Sequence, residues 1–224
     1  MEFPMVKVYI WDLPTRLFHW VLAVSVLGLV ITGNVGGSAM VWHFRFGYLV
    51  LTLIFFRFAW GIFGGFWSRW SQLPIGPLSV LSYIKGPLIT RHLAGHNPLG
   101  SISIITMLFF LTLQVSTGLV SDDEIANSGP LSSLVSSSTV SLATSWHKHW
   151  GKLIIIGLVA LHLMALVWSR YRKHQALVSA MWHGFKDLPE WVTGSDDQLK
   201  SRSLAFVIFL IAAGIVFGIV SLAQ

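Results

Sequence analysis

The chain has 224 residues, of which 54% are hydrophobic and only 11% charged, and its mean hydropathy is +0.70. A soluble domain carries about 25% charged residues, so a water-facing surface around the whole chain is excluded and an integral membrane protein is indicated. Cysteine is absent, which excludes disulfides, thioether-attached haem and cysteine-ligated iron–sulfur clusters within the chain. The formal charge of +6 sits mostly between apolar stretches, where membrane topology accounts for it better than nucleic acid does.

Apolar stretches of spanning length occupy 17–33, 46–65, 99–120, 150–168 and 204–223. The first is longer than a signal-peptide core and lacks a small-x-small cleavage site, so it reads as a span. Asp12-Leu13-Pro14-Thr15 places a capping residue and a first-turn proline ahead of it, and Asn97-Pro98 does the same for the third. The connection 121–146 is serine-rich, holds Gly129-Pro130 and reads as irregular, partly docked structure. Residues 171–203 mix charge with Trp182, Pro189 and Trp191 and read as an interfacial segment at the headgroups. The fifth span has no ionisable residue but contains Gly214-Ile215-Val216-Phe217-Gly218, a small-xxx-small pair. Packing within the chain's own bundle is the preferred reading of that pair, and a homodimer or partner-subunit contact is the alternative. The expected fold is all-α: a transmembrane helical bundle with a four-helix core and a fifth, C-terminal transmembrane helix. The core domain covers 1–185, and an interfacial linker with the last helix covers 186–224.

Orientation follows from Lys and Arg. They crowd the segments before span 1, between spans 2 and 3 and between spans 4 and 5, including Lys7, Arg16, Arg69, Lys85, Arg91, Arg170, Arg172, Lys173, Lys186, Lys200 and Arg202. The loop 34–44 has neither, and 121–146 carries Asp122, Asp123 and Glu124; only Arg45, Lys148 and Lys152 lie at those ends. The N-terminus is therefore expected in the cytoplasm and the C-terminus outside. Trp11, Trp20, Trp42, Trp146 and Trp150 fit an interfacial belt.

The fourth span carries His147 near its start and His162 fifteen residues on, about 22 Å along a helix and roughly 60° apart in phase. His162 lies in an apolar run, where ionisable groups are costly and usually functional. Depth then pairs it with His19 in the cytoplasmic leaflet, and His147 with His43 at the outer ends. Pairs across leaflets would leave about 20 Å between imidazoles, too far for one iron. Two bis-imidazole sites suit two b-type haems, held without covalent links by axial histidines and a fitted apolar slot. Gly28, Gly118 and Gly157 could leave room for flat macrocycles. His149 competes with His147, but its ring lies roughly 140° from that of His162, and a local helix irregularity could reverse the choice. Arg45 outside, and Arg16 or Arg170 inside, could neutralise haem carboxylates.

The remaining polar residues carry weaker signals. His96 and His92 read as solvated loop, with a quinone contact as the alternative for His96, while His174 and His183 read as interfacial. Arg57 lies inside span 2 and must be paired or snorkelling. There is no His-Glu-x-x-His, Cys cluster or intramembrane carboxylate pair, so a zinc or di-iron site lacks support.

The chain resembles the bacterial cytochrome b561 family, which includes the b-type cytochrome subunits of nickel–iron hydrogenases. The resemblance rests on residues 8–20 (VYIWDLPTRLFHW), on Gly95-His96-Asn97-Pro98-Leu99-Gly100 and on the His147…His162 helix, and covers roughly 6–185. It implies a four-helix core with two haem b groups, whose ligands, carried to matching positions, are His19, His43, His147 and His162. The family spaces its two fourth-helix histidines by about fourteen, so this chain departs by one residue. The resemblance further implies electron transfer between the quinone pool and a redox partner in a bacterial inner membrane. The partner expected here is a periplasmic protein such as a c-type cytochrome, which the acidic outer loop could orient. Alternatives are a freestanding quinone-linked superoxide oxidase and an anchor subunit of a larger redox complex.

Overall fold

The computed structural model describes residues 4–85 and 94–221; Arg91, His92 and the last residues of the fifth apolar stretch lie outside the described residues. Helices α1 (Leu13–Val35), α2 (Met40–Phe63), α3 (Pro77–Lys85), α4 (Pro98–Val120) and α5 (Ser137–Ser145) are followed by a π-helical turn, Trp146–Gly151. That turn runs into α6 (Lys152–Arg172), and α7 (Leu177–His183) and α8 (Leu199–Ser221) complete the chain. Strands β1 (Met5–Tyr9) and β2 (Phe185–Pro189) pair antiparallel, Tyr9 opposite Phe185. Five helical stretches among the described residues are long and apolar enough to cross a membrane. The fold is an all-α transmembrane bundle with one small β ribbon, and the protein is a multi-pass membrane protein.

Both sequence-read helix starts are built as caps. The Asp12 carboxylate accepts the Thr15 backbone N–H at 2.8 Å, and the Asn97 side-chain oxygen accepts that of Gly100 at 2.8 Å. Each satisfies a donor that the first turn leaves without an intrahelical partner.

The described residues divide into two compact units. The first comprises those of Met1–His19, Arg57–Thr106 and Leu161–Val207. Its core gathers Ile10, Trp11, Trp67, Ala94, Ala180 and Leu188. Trp11, expected in the interfacial belt, is only 4% exposed. Within residues 171–203, expected to lie along the headgroups, β2 pairs with the N-terminal strand, and it runs across the expected 185/186 domain boundary. Gly184 ends α7 at φ +91, and its carbonyl accepts the N–H groups of Ile10 and Trp11. A Cβ there would sit 2.5 Å from the Tyr9 ring, so glycine is required on both counts. The Tyr9 hydroxyl donates to Asp197 at 2.6 Å, and Asp197 pairs with Arg202 at 2.8 Å. Burial would raise the Asp197 carboxyl, but the hydrogen bonds from Arg202, Tyr9 and Leu13 hold it below its ordinary value.

A polar network lies beneath this ribbon. Asp12, fully buried, accepts from Trp60 Nε1 at 3.2 Å and from the Ser68 hydroxyl at 2.7 Å, while the Ser68 and Thr15 hydroxyls are 2.7 Å apart. Arg57 is 4% exposed, donates to the Ser68 carbonyl at 3.0 Å and lies over the Trp70 ring at 4.2 Å. Arg57 is therefore paired rather than snorkelling, as a buried cation must be.

The second unit comprises Trp20–Phe56, Met107–Ala160 and the described part of Ile208–Gln224. Val50, Leu51, Ile54, Leu111, Val115, Ile155 and Val216 form its core. α8 turns Ala212 and Val216 inward, whereas a Cβ on Gly214 or Gly218 would meet nothing within 4 Å. Two residues rotate a helix by about 200°, so the small-xxx-small pair faces away from the packed side, against the expectation of packing within the bundle. The connection 121–146, expected to be irregular, is so over its first half and helical from Ser137. Ser136 caps that helix by accepting the Thr139 N–H. In the turn before it the Asp123 carboxylate accepts from Ile125, Ala126 and Asn127, which holds it well below the usual carboxylate range.

Candidate functional site

Histidines from different helices meet in pairs, one pair in each unit. In the first unit the His19 and His162 ring centres are 6.5 Å apart and tilted by 51°. In the second the His43 and His147 ring centres are 6.2 Å apart at 87°. Two imidazole nitrogens about 2 Å either side of one metal ion put the ring centres about 6 Å apart. Both separations fit that arrangement. Among the described residues no three His, Cys, Asp or Glu side chains gather as a non-haem metal centre would require.

The second unit also fixes its tautomers. His147 Nδ1 lies 2.8 Å from the Gln114 main-chain oxygen, and His43 Nδ1 lies 3.1 Å from that of Leu29. A carbonyl only accepts, so each Nδ1 carries the proton and each Nε2 keeps its lone pair for a metal. Helix geometry makes these contacts possible. Four residues beyond Leu29 is Gly33, and four beyond Gln114 is Gly118. A Cβ on Gly33 would stand 3.0 Å from the His43 ring, and one on Gly118 would stand 2.7 Å from that of His147. Each imidazole thus seats in a glycine notch and reaches the second lone pair of the carbonyl one turn back.

His149 also lines the cavity beside this pair, but its ring is not the one paired with His43. It is exposed, and its Nδ1 bonds back to the Ser145 carbonyl at 3.1 Å. The helix irregularity that might have favoured it is present, but as a π turn over Trp146–Gly151 it leaves His147 facing His43. Such a turn accommodates one extra residue in an α-helix.

Beside this pair is a cavity of about 580 Å³, within the range of roughly 300–1,000 Å³ for small-molecule and cofactor sites. Apolar residues of four helices line it with Gly47, one turn after His43, where a Cβ would meet nothing within 4 Å. Gly118 serves the His147 ring directly, Gly28 packs beneath Phe46, and Gly157 contacts nothing within 4 Å. Gly47 is the space-making glycine that the sequence reading missed; its i+4 relation to His43 was the available signal. Lys148 and Lys152 line the cavity with Asp122 and Asp123. Arg45 is not among the lining residues; it is exposed and stacks on Trp42 at 4.8 Å.

In the first unit Arg16 is committed to the ribbon, donating to the Trp182 carbonyl at 2.6 Å and the Tyr9 hydroxyl at 3.0 Å, and Arg170 is exposed. His96, expected in a solvated loop, instead stacks on Trp11 at 4.5 Å with a buried Nδ1. Burial pushes its imidazole down to about 3, and the charges of Lys186, Arg57 and His19 act in the same direction. Lys186 donates to the Ala94 and Gly95 carbonyls just before it, and burial pushes that ammonium down to about 8. His174 and His183 are exposed, as expected.

Apolar helices that bring imidazoles together in pairs suit a class of protein, the membrane cytochromes that hold haem without covalent links. The sequence model of the prokaryotic cytochrome b561 family matches residues 10–184, and the chain belongs to that family. It is similar to proteins named as probable Ni/Fe-hydrogenase B-type cytochrome subunits. That of Cupriavidus necator is 25% identical over 80% of this chain and 86% of its own, and that of Azotobacter chroococcum 25% over 80% and 90%. That of Rhodobacter capsulatus is 24% identical over 87% and 84%. No solved structure matches the chain. The protein is a membrane b-type cytochrome of electron transfer.

Proposed function

We propose that the chain binds two haem b groups, one between His19 and His162 and one between His43 and His147, and carries electrons between the quinone pool and a redox partner. The observation that carries this reading is the pair of imidazole separations, 6.5 and 6.2 Å. Bound haem supplies a reversible one-electron couple, and two imidazoles filling both axial positions favour electron transfer over oxygen binding. The protein's part is to hold His43 and His147 in their neutral Nδ1–H forms, to exclude water with apolar helix faces, and to set Lys148 and Lys152 beside the cavity as counter-charges for carboxylates. The distribution of Lys and Arg supports an N-terminus in the cytoplasm of a bacterial inner membrane. The names of the relatives favour a hydrogenase-type partner, and a c-type cytochrome is the other candidate. The cavity lining mixes two lysines with two aspartates, which gives an anionic substrate such as superoxide little net attraction.

The test is a reduced-minus-oxidised spectrum with haem quantification on purified wild type and single variants. Wild type should hold two haems per chain; His162→Ala and His147→Ala should each hold about one, and His149→Ala two. Colourless wild type, or loss of a haem from His149→Ala but not from His147→Ala, would overturn the assignment.

A further inference from the structure

The π turn holds His147 through a residue of another helix. Gln114 lies in α4 and grips His147 at two points. Its main-chain oxygen takes the imidazole Nδ1–H at 2.8 Å, and its side-chain Nε2 donates to the His147 main-chain oxygen at 2.9 Å. The second contact matters because a π turn departs from the regular ladder. The Lys152 N–H closes onto His149, three residues back, rather than onto residue 148. π turns are rare, occur mostly as single turns inside α-helices and are frequent at functional sites.

Gly151 makes room for the grip. A Cβ at that position would lie 1.8 Å from Gln114 Oε1 and 2.8 Å from Trp146 Nε1. Any side chain would therefore expel the Gln114 amide. Gln114 Oε1 and Trp146 Nε1 are themselves buried without a hydrogen-bond partner among the described residues, and both converge on the face of Gly151. Nothing but the contact to His147 thus satisfies the side chain of this buried amide. A residue paid for in unmet hydrogen bonds is difficult to explain as packing alone.

We propose that Gln114 is a positioning residue for the haem-ligating imidazole of His147: its amide, admitted by Gly151, holds the π turn that presents His147 to His43. The inference rests on the reading of His147 as a ligand. Gln114→Glu tests it, because the side chain keeps its shape but loses the N–H donor and sets an oxygen against a carbonyl. Gly151→Ala tests it independently, by displacing the amide without touching Gln114.

Both variants should shift the midpoint potential of one haem and alter its low-spin paramagnetic resonance signal, while the haem between His19 and His162 keeps wild-type values and reports an intact fold. Gln114→Met, which also lacks the donor, should behave like Gln114→Glu. Unchanged potential and resonance signals in both Gln114→Glu and Gly151→Ala would overturn the proposal. The His147→Ala haem count separates the two readings. If that variant keeps both haems, the ligand assignment fails. If it loses one while Gln114→Glu is silent, only the role of Gln114 fails.

Discussion

Replacing Gly118 with alanine should loosen one haem while leaving the helix itself better formed. Alanine is favoured over glycine in a helix by about 1 kcal/mol, so a purely local effect would stabilise α4. The new Cβ, however, would stand 2.7 Å from His147 Cε1, about 0.7 Å inside the 3.4 Å at which ordinary contact begins. Gln114 and His147 both belong to packed helices, so the ring must give. A displacement of that size along the 2.8 Å Nδ1–carbonyl bond stretches it to about 3.5 Å, outside the hydrogen-bonding range. Overpacking of this kind costs about 1–3 kcal/mol, enough to offset the helix gain. Gly157→Ala is the control, because its Cβ would meet nothing within 4 Å. The assay is haem per chain and midpoint potential for both variants in detergent. Gly118→Ala should lose or shift one haem, and Gly157→Ala neither. A Gly118→Ala protein with two haems at wild-type potentials would refute the glycine-notch reasoning.

Three further outcomes are expected. Asp12→Ala removes a helix cap, worth about 1 kcal/mol, and takes away the buried acceptor of Trp60 Nε1 and of the Ser68 hydroxyl. A buried donor left unsatisfied costs about 1–3 kcal/mol, and thermal unfolding in detergent should show the loss as a drop in midpoint. Lys186, pushed down to about 8 by burial, holds fewer protons in the folded than in the unfolded chain between pH 8 and its ordinary 10.5. Stability should therefore rise with pH across that window by roughly 1 kcal/mol per unit, and Lys186→Met should flatten the rise. Finally, Lys148→Gln with Lys152→Gln should shift the potential of the haem at His43 and His147 downward, because the loss of positive charge favours the oxidised state. Arg45→Gln, outside the cavity lining, should not; redox titration distinguishes the two.

Much of the architecture was legible because its signals are local. Five apolar runs, the caps at Asp12 and Asn97, and the burial cost of His162 each stand in a few consecutive residues. The histidine pairs were legible for a related reason, since depth along an apolar helix follows from counting residues. What escaped depends on partners distant in sequence. The alternation in Met5–Tyr9 is five residues long and has no meaning until Phe185–Pro189 pairs with it, so the later segment looked interfacial and Trp11 looked like a belt residue. His96 was misread for the same reason: a short polar connection gives no hint that Trp11 and Lys186 close over it. Arg45 drew notice by its position near His43, but two residues of rotation take it off the cavity face, and Lys148 of the π turn and Lys152 of α6 stand there instead.

The missed feature that bears most on function is that a main-chain carbonyl helps orient each imidazole of the second unit, joined at His43 by the Thr32 hydroxyl 3.3 Å from Nδ1. An aspartate or asparagine behind a histidine announces itself in a sequence; a carbonyl does not. The trace a carbonyl leaves is the glycine four residues beyond it, needed so that a ring can approach a helix backbone closely. Gly33 behind Leu29 and Gly118 behind Gln114 are two instances on two different helices, which makes coincidence a poor account of either. Every carbonyl of α4 is an acceptor, so what selects that of Gln114 is the notch at Gly118, and the π turn over Trp146–Gly151 brings the His147 imidazole to it while His147 still faces His43.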